Sequence, residues 1–402
     1  MAGAALPDPK TALAAMVSHA VAHSPYYRNQ AWAARFRAVG TIPFRDIPVT
    51  EKSLVRNAPA KFHSDFVPPQ DGDVQSKYTS GSTGEPLHVR KTIRALRINV
   101  LENIRLKRGW GYDDHRRMAN ILNPQEDHPV GKMEEEDLPD GRHWWKLYTV
   151  ESRATFDLLR STSATLVRGF PSVLRGALEH GVEESFVLPL RLVTTLSEVV
   201  PDEFRDLVRG IPGCRLVDLY GCIEAGLIAL QCHLCDAYHP AERHLIFELI
   251  TDEGQPAKPG ELGRVVVTPL FNKAMPLLRY ETGDYAVKAK SNDCPRSSVA
   301  LERIVGRQQN LFKLPDGRRV MPRLPGRVAE RLALHRFKLF QKTLGEVEFH
   351  YIPRDPGAEV TDSVAQELID MYMAPGFKVR CVRVADIPRA PGGKYFMHES
   401  FV

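Results

Sequence analysis

Apolar and polar positions follow distinct rhythms along the 402-residue chain, and the rhythms mark its elements. "ATLVRG", residues 164–169, is a short apolar run with the composition of a buried strand. "PSVLRGALEHG" follows, with Pro171 at a helix start and Gly181 just past its expected end. "LRLVTTL", "VPDEFRDLVRG" and "CRLVDLYG" repeat the cycle as far as Gly221. Strand, helix, strand, helix, strand with short connections predicts βαβαβ units, hence a parallel sheet covered by helices. Ligands of such sheets bind beyond the carboxyl ends of the strands. That rule singles out Ser197–Glu198 and Tyr220–Gly221.

Further along, "GELGRVVVTPL" alternates like a strand, and "DVQSKYTS" and "LHVRKT" alternate on either side of "GSTGEP", which predicts a hairpin-like connection. Beyond about residue 310 the texture changes. "RFKLFQK", "GEVEFHYIP" and "FKVRCVRV" have strand patterns, and "TDSVAQELIDMY" predicts an amphipathic helix capped by its Thr or Asp. The polar "GRQQN", Gly306 to Asn310, suits a linker. The expected division is a core of residues 1–305, a hinge at 306–310 and a small α+β domain over 311–402. Neither an internal repeat nor a low-complexity segment is present.

Composition narrows the class. Hydrophobic residues are 43% and charged residues 26%, ordinary for a globular protein with real cores. A net charge of +5 is too small to argue for nucleic acid. The start, "MAGAALPDPK", lacks the basic-then-apolar pattern of a secretion signal, and no apolar run approaches the ~20 residues that span a bilayer. Six cysteines in a chain this long do not make a disulfide scaffold; they suit reduced thiols or a metal site in a cytoplasmic protein. Neither nucleic acid nor membrane is an expected partner.

Five stretches carry chemistry. In "YTSGSTGEPLHVRKT", Gly81 and Gly84 permit positive φ and let successive N–H groups converge on an anion, with Ser80, Ser82 and Thr83 adding hydroxyls. A plain surface hairpin has the same composition, and the Gly-Lys-Ser/Thr ending of a Walker loop is absent. "DLYGCIEAG", Asp218 to Gly226, begins at a strand's end: Tyr220 can stack on a flat base, Gly221 allows close backbone approach, and Glu224 can offer oxygen to Mg²⁺. "LLRYETGDY" carries Asp284, whose carboxylate can accept both hydroxyls of a ribose, although Thr-Gly-Asp is also a common turn. "PRAPGGKYF" carries Lys394, which can neutralise charge between a carboxylate and an α-phosphate or stand as a solvated lysine. "CHLCDAYHPAERH" holds Cys232, Cys235, His239 and His244; with Cys294 these suffice for tetrahedral zinc, or are reduced thiols and surface histidines.

In this order and spacing the motifs resemble the adenylate-forming superfamily of acyl-CoA synthetases, luciferases and peptide-synthetase adenylation domains. The chain looks most like the phenylacetate–CoA ligase-like branch. That branch is suggested by the compact length, by "SPYYR" and "IPFRDIPVTEKSLVR", and by Leu87 after Glu85–Pro86 where the loop usually ends in lysine. The resemblance covers nearly the whole chain. It implies an α/β fold: a large N-terminal domain of parallel sheets and helices plus a small mobile α+β C-terminal domain. It also implies an AMP-forming ligase that activates a carboxylic acid with ATP, releases pyrophosphate and passes the acyl group to CoA. An amine, phenol or carrier-protein thiol is the alternative acceptor. A binding homologue without turnover is disfavoured by the presence of Lys394, Glu224 and Asp284.

Residue by residue, the resemblance assigns Ser80, Gly81, Ser82, Thr83 and Gly84 to the β- and γ-phosphates and Tyr220 to adenine. Asp218 and Gly221 belong to the same nucleotide-binding strand end. Glu224 with Glu198 would organise Mg²⁺, Asp284 would hold the ribose, and Arg307 the ribose or a phosphate. Lys394 would bridge carboxylate and α-phosphate, then leave as the small domain swings about Gly306–Asn310. A structural Zn²⁺ would sit on Cys232, Cys235, His244 and Cys294, with His239 as the alternate ligand. Trp144, Trp145 and the stretch Gly169 to Ser172 are candidates for the acid pocket, whose aromatic walls would favour a flat aromatic acid. A homodimer is left open. Three departures stand out: Asn310 replaces a usual Asp; Glu281 stands where Arg is frequent, with Arg279 two positions earlier; and "LFKLPDGRRVMPRLPGR" matches the family's acceptor-side glycine loop only through Gly317.

Overall fold

The short apolar runs become parallel strands. Leu166–Gly169 pairs with Leu192–Thr195, and that strand with the first half of Arg215–Cys222, Thr195 lying opposite Asp218. Arg117–Leu122 and His143–Tyr148 extend the parallel ladder, and Met133–Asp137 closes it as an antiparallel edge. One face of these strands presents Ile121, Val167 and Val193 to helices Ser152–Ser161, Pro171–Glu183 and Asp202–Arg209, which contribute Phe156, Leu174 and Phe204 to a common core. Helix Pro171–Glu183 runs through Gly181 instead of stopping before it. A Cβ on Gly181 would lie 3.1 Å from the Phe186 carbonyl, so this glycine serves a close approach and not a helix end.

The computed structural model describes all residues except 1–5, 80–85, 110–116, 139–140, 233, 296–298, 323, 325–326, 374–375 and 390–394. The chain falls into two units, Met1–Asp113 with Leu219–Ile304, and Asp114–Asp218 with Val305–Val402. The parallel strands above belong to the second. That unit also holds the mixed four-stranded sheet of Leu334–Thr343, Glu346–Pro353, Lys378–Arg383 and His398–Ser400. Helix Asp362–Tyr372 accompanies it, capped by the Thr361 side chain accepting from Val364 N–H. Phe337, Phe349, Ile369 and Val379 form a core of their own here.

The first unit is mainly antiparallel. Leu245–Ile250, Leu262–Pro269 and the strand Tyr280–Lys288 pair in order, and Gly226–Gln231 pairs with Tyr238–Pro240 and with the second half of Arg215–Cys222. N-terminal residues Met16, Ala20, Tyr27 and Trp32 pack with Val265, Leu278 and Tyr280 in its core. Val74–Tyr78 and His88–Thr92 form the predicted hairpin ladder, Tyr78 opposite His88. Ser80, Gly81, Ser82, Thr83 and Gly84 lie outside the described residues, as does Lys394. Among the described residues no helix is long and apolar enough to cross a membrane.

Candidate functional site

Strand Arg215–Cys222 turns back sharply into Gly226–Gln231. A Cβ on Gly221 would fall 2.4 Å from the Gly226 carbonyl oxygen, and one on Gly226 2.4 Å from Asn99 Oδ1. The close approach that Gly221 permits is therefore to its own hairpin. The turn carries Glu224, only 1% exposed. Lys52 Nζ lies 2.9 Å from Glu224 Oε1, and Tyr280 donates its hydroxyl to the same oxygen at 2.7 Å. Thr50 explains how a lysine from the N-terminal segment arrives there. Its N–H donates to Arg279 O and its carbonyl accepts from Glu281 N–H, both at 2.9 Å, which fixes the start of helix Lys52–Asn57. Lys52 Nζ also donates to Thr282 O at 3.1 Å. Burial pushes the Glu224 pKa up, but the Lys52 charge and the Lys52 and Tyr280 hydrogen bonds outweigh it and hold the carboxyl at about 2. An ionised carboxylate whose Oε2 takes neither contact fits Mg²⁺.

Tyr220 and Asp284 also meet. The Tyr220 hydroxyl donates to Asp284 Oδ2 at 2.9 Å, joining positions 64 residues apart. Gly283 adopts φ +79°, and Thr282 Oγ1 accepts from Asp284 N–H at 3.2 Å, so the Thr-Gly-Asp turn sets the carboxylate's direction. Burial, then the Asp284 charge, raises the Tyr220 pKa well above its ordinary value, which keeps the phenol a donor. Arg279 does not replace the arginine missing at 281. Its guanidinium makes a two-pronged pair with Glu248 at 2.9 and 3.0 Å and donates to the carbonyls of Arg45 and Ile47.

Glu198 has a different set of partners. The Glu198 N–H donates to Leu196 O at 2.9 Å across Ser197, whose φ of +69° marks a strained γ-turn at the strand's end. The carboxylate then accepts from Ser172 N–H (2.9 Å), Ser172 Oγ (3.0 Å) and Tyr395 N–H (2.7 Å), with Arg389 Nη1 3.6 Å away. Arg389 also donates to Ser172 Oγ at 2.8 Å. These donors answer both oxygens, an arrangement that anchors chain segments and leaves little room for the metal role expected of Glu198. Asp218 accepts from Thr195 Oγ1 at 2.6 Å. Arg307 ends the strand Leu301–Arg307. At the linker Gly306 has φ +87°, and buried Asn310 keeps an unpartnered Oδ1. Of the two tryptophans, Trp145 joins the helix-side core and Trp144, its neighbour in the strand, faces the other way.

The cysteine cluster selects one histidine. Ligand atoms of Cys232, Cys235, His239 and Cys294 lie within 4.8 Å of one another. His239 Nε2 is 3.3 Å from Cys235 Sγ, while its Nδ1 lies 2.8 Å from Val299 O, the backing that orients a metal-binding imidazole. Leu234 N–H donates to Cys232 Sγ at 3.4 Å. His244, the first choice from sequence, is elsewhere: its Nε2 faces Leu227 O at 2.8 Å, and burial holds its pKa down at about 4. Sequence reading also missed Lys52, Tyr280, Arg389 and Tyr395 as partners. Lys52 was visible only as part of "IPVTEKSLVR".

No family model matches the chain. A solved 2-hydroxyisobutyryl-CoA ligase, in the postadenylation state with 2-HIB-AMP, superposes with a TM-score of 0.71 over 98% of this chain and 88% of that one, at 15% identity. The fold is thus that of the adenylate-forming ligases. Indoleacetate–CoA ligase of Aromatoleum aromaticum is 29% identical over 202 residues, 47% of this chain and 38% of that protein. Phenylacetate-coenzyme A ligase of Thermus thermophilus is 37% identical over 76 residues, 18% and 17% of the two chains. The matched stretch spans well under half the length of either curated relative. Parts of the chain are thus similar in sequence to indoleacetate– and phenylacetate–CoA ligases, and its fold is shared with a solved acyl-CoA ligase.

Proposed function

We propose that the chain is an AMP-forming acid ligase. A carboxylate oxygen attacks the α-phosphorus of ATP, the bond to pyrophosphate breaks, and acyl-AMP forms. The CoA thiol then attacks the acyl carbon, giving the thioester and releasing AMP. The observation that carries this reading is the meeting of Tyr220, from one motif, with Asp284, from another, at 2.9 Å. In this reading Tyr220 offers its ring to adenine and Asp284 its carboxylate to the ribose. Glu224, kept ionised by Lys52, would hold Mg²⁺. When bound, Mg²⁺ supplies positive charge to the polyphosphate. Tyr395, which follows Lys394 in the chain, donates to Glu198, and that bond supports Glu198 as an anchor for the chain just after the lysine.

The relatives' named acids, indoleacetate and phenylacetate, support a flat aromatic substrate. Acid-dependent pyrophosphate release should fall at least ~100-fold in Lys394→Ala, the scale of losing one electrostatic stabiliser. Equal release by the variant overturns that assignment. If no acyl-CoA forms from any acid that supports release, the acceptor is an amine, phenol or carrier-protein thiol instead.

We also propose a structural Zn²⁺ on Cys232, Cys235, His239 and Cys294, which suit it as a Cys₃His donor set. Elemental analysis of purified protein should give about one zinc per chain, and Cys232→Ser should lose it. Metal-free protein with an unchanged melting temperature would exclude the site.

A further inference from the structure

Strand Leu166–Gly169 has two unlike faces. Val167 lies in the core beneath the helices, and a Cβ on Gly169 would meet Ile121 Cβ at 2.9 Å on that side. Arg168, between them, points the other way, in register with Asn120 on one neighbouring strand and Thr194 on the other. Arg168 Nε is shielded from solvent without a hydrogen bond, and Oδ1 of Asn120, only 2% exposed, is likewise unpartnered. No described acid pairs with Arg168, and burial alone pushes its pKa down. The contrast along the same row is informative. Lys146, also in register with Asn120, has its charge met by Glu136 at 2.9 Å.

A buried donor and a buried acceptor left open side by side are costly unless a ligand answers both. They stand near the carboxyl ends of parallel strands, where ligands of such sheets bind. The stretch Gly169 to Ser172, a candidate lining of the acid pocket, follows at once in the chain. A hydroxyl is the small group that accepts from an N–H and donates to a carbonyl at the same time. Arg168 remains partly open, so the group can arrive from solvent.

We propose that Arg168 and Asn120 form a specificity subsite for a hydroxyl group on the carboxylic acid, so that the preferred substrate is a hydroxylated aromatic acid. The inference rests on the reading of the chain as an acid-activating ligase, and it deepens that reading by naming the substrate class.

The test is acid-dependent pyrophosphate release with phenylacetate, benzoate and indoleacetate, each beside its ring-hydroxylated and ring-carboxylated analogues. Wild-type enzyme should favour at least one hydroxylated acid over its parent by ~10-fold or more in kcat/KM, and Arg168→Met and Asn120→Ala should each abolish that preference while parent acids keep their rates. Arg168→Met should melt no lower than wild type, since it removes a half-buried charge that no described acid pairs. A much lower melting temperature would reveal a structural partner and overturn the proposal. So would equal use of parent and hydroxylated acids, a preference for the carboxylated series, or an equal loss on all acids in both variants. Pyrophosphate release from the parents without a hydroxyl preference refutes only this inference. No release from any acid refutes the ligase reading and the inference with it.

Discussion

Glu224 and Glu198 both sit near strand ends, 1% and 8% exposed, and are held in opposite ways. Glu224 touches a full ammonium charge, Lys52, at 2.9 Å. Glu198 touches two backbone N–H groups and a hydroxyl, and its nearest cation, Arg389, stands off at 3.6 Å. Burial raises both pKa values. For Glu224 the lysine reverses the direction, to about 2; for Glu198 the hydrogen bonds and the distant arginine oppose burial without overcoming it. At similar burial, a charge in contact decides the protonation state. The consequences for stability have opposite signs. The Glu224 contribution is present above the ordinary value of 4.5 and is lost as pH falls toward about 2. The Glu198 contribution is present at low pH and is lost as pH rises through its raised pKa.

Removing Lys52 should have the largest effect. Lys52→Met strands the Glu224 carboxylate in the interior, at an expected cost of about 3–5 kcal/mol in chemical denaturation at pH 7. The deficit should shrink as pH is lowered from 7 toward 4.5 and below, because burial without the lysine raises the stranded carboxyl's pKa and lets it protonate. The double variant Lys52→Met/Glu224→Gln should recover most of the loss, since no charge is left to strand. A deficit below about 1 kcal/mol, the scale of a surface pair, would show that the lysine does not hold Glu224.

The same contrast separates what the order of residues makes legible from what it hides. The parallel strands and their helices are readable because prolines and glycines punctuate short apolar runs. Gly181 misleads because a glycine placed for close approach to the Phe186 carbonyl has the same letter as one that ends a helix. Tyr220, Asp284 and Glu224 announce themselves by local spacing. Their partners do not. Lys52 reaches Glu224 through the Thr50 pairing with the strand Tyr280–Lys288, a long-range register that no local pattern encodes. The Cys-x-x-Cys spacing is visible, but only the fold distinguishes the histidines, placing the His239 ring beside Cys235 and the His244 ring against Leu227 O. Arg168 is hidden for another reason: inside "ATLVRG" one charged residue leaves an apolar run intact.

A smaller effect, with the opposite pH trend, should come from Glu198→Gln. The amide keeps the size and one accepting oxygen, so at pH 7 the change should stay within about 1–2 kcal/mol of wild type, the scale of one altered hydrogen bond. Its sign with pH is the sharper reading. Below 4.5 the wild-type carboxyl is protonated and enjoys its raised affinity for the proton. As pH rises the wild type must ionise a buried group, and the glutamine need not. The variant should therefore gain on the wild type between pH 4.5 and 7, whereas Lys52→Met falls further behind over the same range. If instead the Glu198→Gln deficit grows with pH, Arg389 at 3.6 Å holds Glu198 as an ion. The two glutamates would then differ in degree and not in kind, and anchoring of the segment after Lys394 would be an ionic contact that weakens with salt.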